Sequence, residues 1–244
     1  FGDGGGASGD QNPSYLYGSA GVYNVSLMLT SSLGCEDSIV KDVVIYANPT
    51  VDFVIENNCE EVGNIFSDLS SVFNGNINSR EFSFNDGSTF NDSIVNHVFT
   101  GHGSFDVMLR VVSTDGCVSS KVKTTKVFPN PIIDFVASES CEGQQAFFNN
   151  LSSVPNSSIA SYSWNFGLEG VSGDRSPAYT FSSHGVFDVD LSIISGEGCE
   201  SLITKEVVVH KIPSANFGVL SNACLGDELQ IYYLADPNNS NVVS

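Results

Sequence analysis

Apolar and other residues alternate with a period of two along much of this chain. Between Phe105 and Val111 every second position, Phe105, Val107, Leu109 and Val111, is apolar, and Phe187–Ile193 repeats the pattern. Successive strand side chains point to opposite faces, so such stretches predict half-buried β-strands. Val43–Ile45 and Val207–Val209 are short β-branched runs, each soon followed by proline. Clusters of Gly, Asn, Asp and Ser interrupt the pattern about every 8–12 residues, the spacing of a sandwich of short antiparallel strands. No segment carries an apolar stripe of period 3.6 over three turns. The predicted class is all-β.

A second, longer period lies over the first. Pro49, Pro131 and Pro213 stand 82 residues apart, as do Phe53, Phe135 and Phe217, and Cys35, Cys117 and Cys199. Gly21–Leu27 recurs as Gly103–Leu109 and Gly185–Leu191 at the same interval. A period of this length signals an array of small domains. The expected units are 1–48 (partial, without its opening strands), 49–130, 131–212 and 213–244 (the start only). About four residues, with a proline among them, separate one unit's last strand from the next unit's first. Proline restricts both itself and its predecessor, so the junctions should be short and stiff and the array a rod.

Composition narrows the function. Nine basic and 28 acidic residues give a net charge of −19, the wrong sign for nucleic acid or for anionic lipid. Seventeen Phe and eight Tyr are ample for packed cores. No run of 18 apolar residues occurs, so no membrane insertion is expected in this segment. No Gly-x-Ser-x-Gly, His-Glu-x-x-His or phosphate loop is present, and the acids are spread over repeated positions. The expectation is a protein that is not an enzyme. The histidines look isolated and receive no role. Two cysteines recur in each repeat (Cys35; Cys59 and Cys117; Cys141 and Cys199; Cys224), which reads as a disulfide framework in an oxidising compartment. Metal binding is the alternative, although no Cys-x-x-Cys occurs.

Three ordered motifs then carry a resemblance. Phe1-Gly-Asp3-Gly is followed by Asn12-Pro13, by Tyr15-Leu-Tyr17 and by Gly21-Val-Tyr23-Asn-Val25-Ser-Leu27. The second repeat answers with Phe82-Ser-Phe84-Asn-Asp86-Gly87, His97-Val-Phe99 and Gly103-Ser-Phe105. The third has Tyr162-Ser-Trp164-Asn-Phe166-Gly167, Pro177-Ala-Tyr179-Thr-Phe181 and Gly185-Val-Phe187. This series resembles the PKD domain family over essentially the whole chain. It departs at Phe166–Gly170, where Leu168-Glu169 replaces the Asp, and at Asn85, which replaces a glycine. The added Gly-Cys and Cys-x-Gly elements resemble the PKD repeats of very large secreted surface proteins of Bacteroidetes, including gliding-motility adhesins exported by the type IX pathway.

The resemblance implies a seven-stranded immunoglobulin-like sandwich in each unit, with the Cys-x-Gly and Gly-Cys turns at opposite ends. That arrangement implies pairing across a junction, Cys59 with Cys199, leaving Cys117 and Cys141 to partners elsewhere. Asp3 and Asp86 are expected to be turn residues, with calcium as the weaker alternative because some members of the family bind it. No other cofactor is expected. Trp164 and Phe82 should be core aromatics. Of Tyr15, Tyr17, Phe99, Tyr179 and Phe181, alternate members are expected inside and the others at the surface. Asn24, Asn91, Asn150 and Asn156 fit the N-glycosylation pattern by chance. Asp37-Ser38-Ile39 and Asp92-Ser93-Ile94 resemble the O-glycosylation signal of Bacteroidetes, making Ser38 and Ser93 the candidate sugar sites. The implied function is a structural and adhesive stalk of a cell-surface protein, held to the outer membrane by regions outside this segment. Its partners would be neighbouring repeats and possible surface glycans or other surface proteins. The alternative is an accessory array that positions the catalytic domain of a secreted polysaccharide- or protein-degrading enzyme.

Overall fold

The computed structural model describes residues 1–220 and 222–234. The chain divides into two compact units, Phe1–Pro129 and Asn130–Ser244. In the first, β1 (Gly21–Thr30) and β2 (Glu36–Ile45) form a regular antiparallel hairpin, in register from Gly21 opposite Ile45 to Thr30 opposite Glu36. A complete sandwich follows in seven strands: β3 (Phe53–Glu56), β4 (Gly63–Asp68), β5 (Ile77–Phe84), β6 (Thr89–Phe90), β7 (Ile94–Val98), β8 (Gly103–Ser113) and β9 (Val118–Val127). One sheet has the order β3-β4-β7 and the other β6-β5-β8-β9.

In the second unit the strands are β10 (Phe135–Ala137), β11 (Ser140–Cys141), β12 (Gln145–Asn150), β13 (Ile159–Asn165), β14 (Val171–Ser172), β15 (Ala178–Thr180), β16 (Gly185–Ser195) and β17 (Glu200–His210). They build a sheet β10-β12-β15 and a sheet β11-β17-β16-β13-β14, after which β18 (Phe217–Val219) pairs with β19 (Ile231–Tyr233). A 3₁₀ turn, Gly167–Glu169, occupies the place where the Asp of the motif is missing. Tandem immunoglobulin-like sandwiches are thus the fold.

The alternating pattern explains the cores. Val107, Leu109 and Val111 point inward from β8 and meet Phe53, Phe66, Phe82, Phe84, Val95 and Phe99. In the second unit Val189, Leu191 and Ile193 meet Phe135, Phe148, Trp164, Phe166 and Phe181. Each such side chain contributes on the order of 1.5–3 kcal/mol by leaving water. The covering sheet decides the burial of otherwise equivalent residues. Leu27 is 56% exposed on the isolated hairpin, whereas Leu109 and Leu191, at the same repeat position, are fully buried. Trp164 has its indole N–H donated to the Asp174 carbonyl at 2.9 Å, so its one polar atom is satisfied inside the core.

The first strand of each complete sandwich serves both sheets. β10 pairs antiparallel with β12, and the chain then crosses so that β11 pairs parallel with β17, Ser140 opposite Val209 and Cys141 opposite His210. The first unit repeats the manoeuvre: β3 pairs with β4, and Cys59 then bridges to Phe128 in parallel.

One expectation about aromatics is corrected. Residues two apart on a strand share a face, so the pairs 15/17, 97/99 and 179/181 do not divide into inside and outside. His97 and Phe99 are both buried, Phe181 is buried and Tyr179 packs at the rim of the same core. His97, 6% exposed, stacks on Phe84 with centroids 3.9 Å apart and meets Phe99 edge-on.

Two outcomes follow. Trp164→Ala should cost its own sandwich about 3–5 kcal/mol by cavity formation, whereas Leu168→Ala, at a fully exposed site, should stay within about 0.5 kcal/mol. Thermal unfolding checks both. Burial holds the His97 pKa below its ordinary value, with Asp86 opposing. The unfolded chain therefore takes up a proton more readily, and stability falls as pH drops through the unfolded value of about 6.5. His97→Tyr places the residue found at positions 15 and 179. Melting curves at pH 7.5 and 5.5 should show a smaller loss in His97→Tyr than in the native chain.

Candidate functional site

Positions that recur in each repeat, outside the core, gather at three places. The first is the hairpin joining the last two strands. Gly34, Gly116 and Gly198 have φ of +82°, +84° and +90°, a left-handed conformation that glycine adopts without a Cβ clash. Each donates its N–H to the carbonyl three residues earlier, on Ser31, Ser113 or Ser195. The following Cys35, Cys117 and Cys199 then donate their N–H to the hydroxyl of the same serine, at 3.0, 3.1 and 3.0 Å. The Gly-Cys signature is a turn that presents the cysteine in a set orientation.

The second place is the turn after the first strand. Gly143 has φ +72°, and Glu61 takes the equivalent place with φ +60°. Their N–H groups donate to the carbonyls of Phe181 and Phe99, so the Cys59 and Cys141 turns have the same frame. Beside them lies a pairing that the sequence reading passed over. His102 Nδ1 is 2.9 Å from Glu60 Oε2, and His184 Nδ1 is 2.8 Å from Glu142 Oε2. Glu142 also accepts the backbone N–H of His184 at 3.0 Å and of Ile212 at 3.3 Å. These bonds, led by that to the His184 ring, hold its pKa below the usual carboxylate value. One carboxylate thus ties the first-strand turn to the chain leaving the last strand. The signal was available in the sequence: Glu60 and Glu142, like His102 and His184, keep the 82-residue register.

Cys59 and Cys199 are disulfide-bonded. Cys35, Cys117, Cys141 and Cys224 carry free thiols.

The third place is the gap between the first and last strands. Lys123 Nζ lies 2.7 Å from Asp52 Oδ1 and also donates to the Phe53 carbonyl. Lys205 Nζ lies 2.5 Å from Asp134 Oδ1 and 2.7 Å from the Phe135 carbonyl. Both ammonium groups sit over the phenylalanine ring, 5.0 and 5.2 Å from its centroid. Lys121 adds a second cation at Asp52, at 2.8 Å, and the two lysines hold that carboxyl far below the ordinary range. Lys205 does the same at Asp134.

Asp3 and Asp86 occupy their expected turns. Asp3 accepts the Tyr15 hydroxyl at 2.7 Å and the Gly5 N–H at 3.0 Å, which lower its pKa. Asp86 accepts the Ser88 hydroxyl and N–H at 2.7 and 2.9 Å, and lies 3.1 Å from His97 Nε2. Above each turn a pair of rings stacks: Phe1 on Tyr15, Phe84 on His97 and Phe166 on Tyr179, with centroids 4.1, 3.9 and 4.2 Å apart. Phe82 and Trp164 are fully buried. Ser38, on β2, and Ser93, just before β7, are exposed. Among the described residues no three His, Cys, Asp or Glu side chains are grouped to hold a metal ion, and no helix is long and apolar enough to cross a membrane.

Similar solved structures include the PKD1 domain of Vibrio anguillarum Epp, at 21% identity over 35% of this chain and 99% of that chain, with a TM-score of 0.33. The PKD1 domain from Vibrio cholerae metalloprotease PrtV is 28% identical over 33% of this chain and 96% of its own, at 0.30. Fibronectin(III)-like modules of Clostridium thermocellum CbhA are 13% identical over 67% and 94%, at 0.36. The PKD domain model itself matches residues 46–128 and again 129–210. Those two matches take in well over half of the sequence and enclose both complete sandwiches with their stacked ring pairs: the chain belongs to the PKD domain family.

Proposed function

We propose that this chain is a load-bearing, adhesive stalk segment of a large extracellular surface protein, in which cysteines of successive repeats are cross-linked. PKD membership supports an adhesive or accessory domain array. The observation that carries the stalk reading is the placement of the bonded cysteines. Cys59 lies in a first-strand turn and Cys199 in a last hairpin, on turns whose backbone recurs from repeat to repeat. Free Cys117 and Cys141 hold the equivalent positions and would take partners in further repeats. Neighbouring repeats, and glycans or proteins of a surface, are the partners of such a stalk. Its setting would be a secreted Bacteroidetes protein of the gliding-adhesin kind, with Ser38 and Ser93 as exposed attachment points for sugar.

Mechanics supplies the reason for the lysines. Tension on a stalk enters a sandwich through its first strand and leaves through its last. Lys123 and Lys205 tie those two strands together, so they stand in the path of the load once the disulfide is open.

The disulfide is tested by pulling single molecules from their termini. With Cys59 joined to Cys199, the chain between them is shielded from tension. Reduction should therefore release on the order of 450–500 Å of additional extension, at ~3.3–3.6 Å per residue. An unchanged contour length would overturn the cross-linked stalk, and a non-reducing peptide map gives the pairing directly. In the same instrument, after reduction, Lys205→Met should lower the unfolding force of the third repeat. Lys41→Met should leave every force unchanged, since Lys41 forms no ion pair among the described residues.

A further inference from the structure

We propose that a cleft beside the first hairpin receives a lysine side chain of a partner protein. The cleft holds about 190 Å³ and lies within the first compact unit. Val22 of β1 and Val44 of β2 line it, with Tyr46 just beyond β2, while Phe73, Asn74 and Asp115 come from the second repeat. That volume is below the range of small-ligand pockets and suits the end of one side chain rather than an oligosaccharide. No lysine or arginine lines the cleft.

Two of the lining groups are unengaged among the described residues. The Tyr46 ring, 52% exposed, stacks on no other ring and carries no cation. The Asp115 carboxylate accepts no hydrogen bond and forms no ion pair. Its Oδ2 lies 3.4 Å from the place a Cβ would take on Gly75, so the carboxylate stands against the loop that presents Phe73.

The other repeats show what these positions take when they are satisfied. Phe128 is the counterpart of Tyr46 in the 82-residue register, and Lys126 holds its ammonium 4.8 Å from that ring's centroid. The first repeat has Val44 in place of Lys126. Glu197 is the counterpart of Asp115, and its carboxylate accepts the Ser157 hydroxyl. The second repeat has Gly75 in place of Ser157. The first repeat thus keeps the ring without its ammonium, and the second keeps the carboxylate without its donor. One ammonium entering the cleft serves both.

Charge and shape select the ligand. The net charge of −19 draws basic partners. An anion would meet Asp115 with no cation to offset it. A neutral group would forgo both the negative face of the ring and the charge of the carboxylate. Val22 and Val44 offer an apolar wall to a four-carbon stem. The side-chain carbonyl of Asn74 can accept a further ammonium N–H. Phe73, 75% exposed, adds apolar surface to the same cleft.

This site goes beyond the stalk reading and does not depend on it, because binding is read without force. The test is titration of the isotope-labelled intact chain with the capped tripeptide Gly-Lys-Gly, followed by amide shifts. Its Nε-acetyl form and n-butylammonium are the comparisons. The lysine peptide should bind with a Kd of about 10 mM, the strength of a single exposed cation site. Shifts are expected at residues 20–22, 44–47, 73–75 and 115, weakening as salt is raised. The acetyl peptide should give none. Asp115→Asn should weaken binding about threefold. Val44→Lys, which installs the lysine of the second repeat, should abolish it with an unchanged melting temperature. No saturation up to ~100 mM, ten times the expected Kd, would overturn the proposal. So would equal shifts from the acetyl peptide, or Asp115→Asn and Val44→Lys chains that bind like the native one. Tighter binding of n-butylammonium would reassign the cleft to a free amine, and the same shifts on concentrating the chain alone would reassign it to a second copy. Either result overturns the partner reading.

Discussion

Each complete repeat depends on one strand that must belong to two sheets. A β-sandwich buries one face of each sheet against the other, but its edges remain open, and an open edge invites unwanted pairing. Here the first strand begins antiparallel to the second strand and then crosses to lie parallel with the last. The crossing closes one side of the sandwich. It also lays the first and last strands side by side and parallel, so the chain enters beside the start of the last strand and leaves beside the end of the first. The lysine between the strands, the glutamate that grips the exit and the cysteine in the crossing turn all follow from that meeting of first and last strands.

The crossing explains why the recurring residues outside the core are of particular types. A chain that changes sheets leaves backbone carbonyls facing a gap, and Lys123 and Lys205 fill it by donating to the carbonyls of Phe53 and Phe135. A long aliphatic stem is needed to reach across the ring below, and an ammonium is needed at its end. Aspartate before the phenylalanine completes the bond set at low cost, because both charges remain partly in water. The Gly-Cys hairpin obeys a different local rule. There a left-handed residue must precede the cysteine so that the serine hydroxyl can cap its N–H.

Much of the fold was legible in the sequence, because alternation with period two names the inner face of each strand directly. Leu109 and Leu191, Phe82 and Trp164 stand inside for that reason. The exposure of the equivalent Leu27 was not readable from its own neighbours, since burial depends on which strands cover it. The expectation for Tyr179 and Phe181 failed on a simpler point: two residues apart means the same face. His102 and Glu60 are 42 positions apart, and no local pattern links them. Only the comparison of two repeats could have done so. The Arg80–Asp68 pair was the least legible, because it joins side chains from two different sheets.

A repeat array offers its own internal control for separating scaffold from function. Where the two complete sandwiches keep the same chemistry, as at Lys123 and Lys205 or at Glu60 and Glu142, the fold itself demands the residue. Where they differ, the fold tolerates both versions, so stability cannot be the reason for the more costly one. Arg80 on a nearly buried Asp68 is such a case: an ion pair withdrawn from water carries a desolvation cost that Tyr162 and Asn150 avoid at the equivalent positions. The scaffold gains little from that pair. Divergence between otherwise equivalent repeats is therefore a better guide to specific recognition in this chain than the motifs the repeats share.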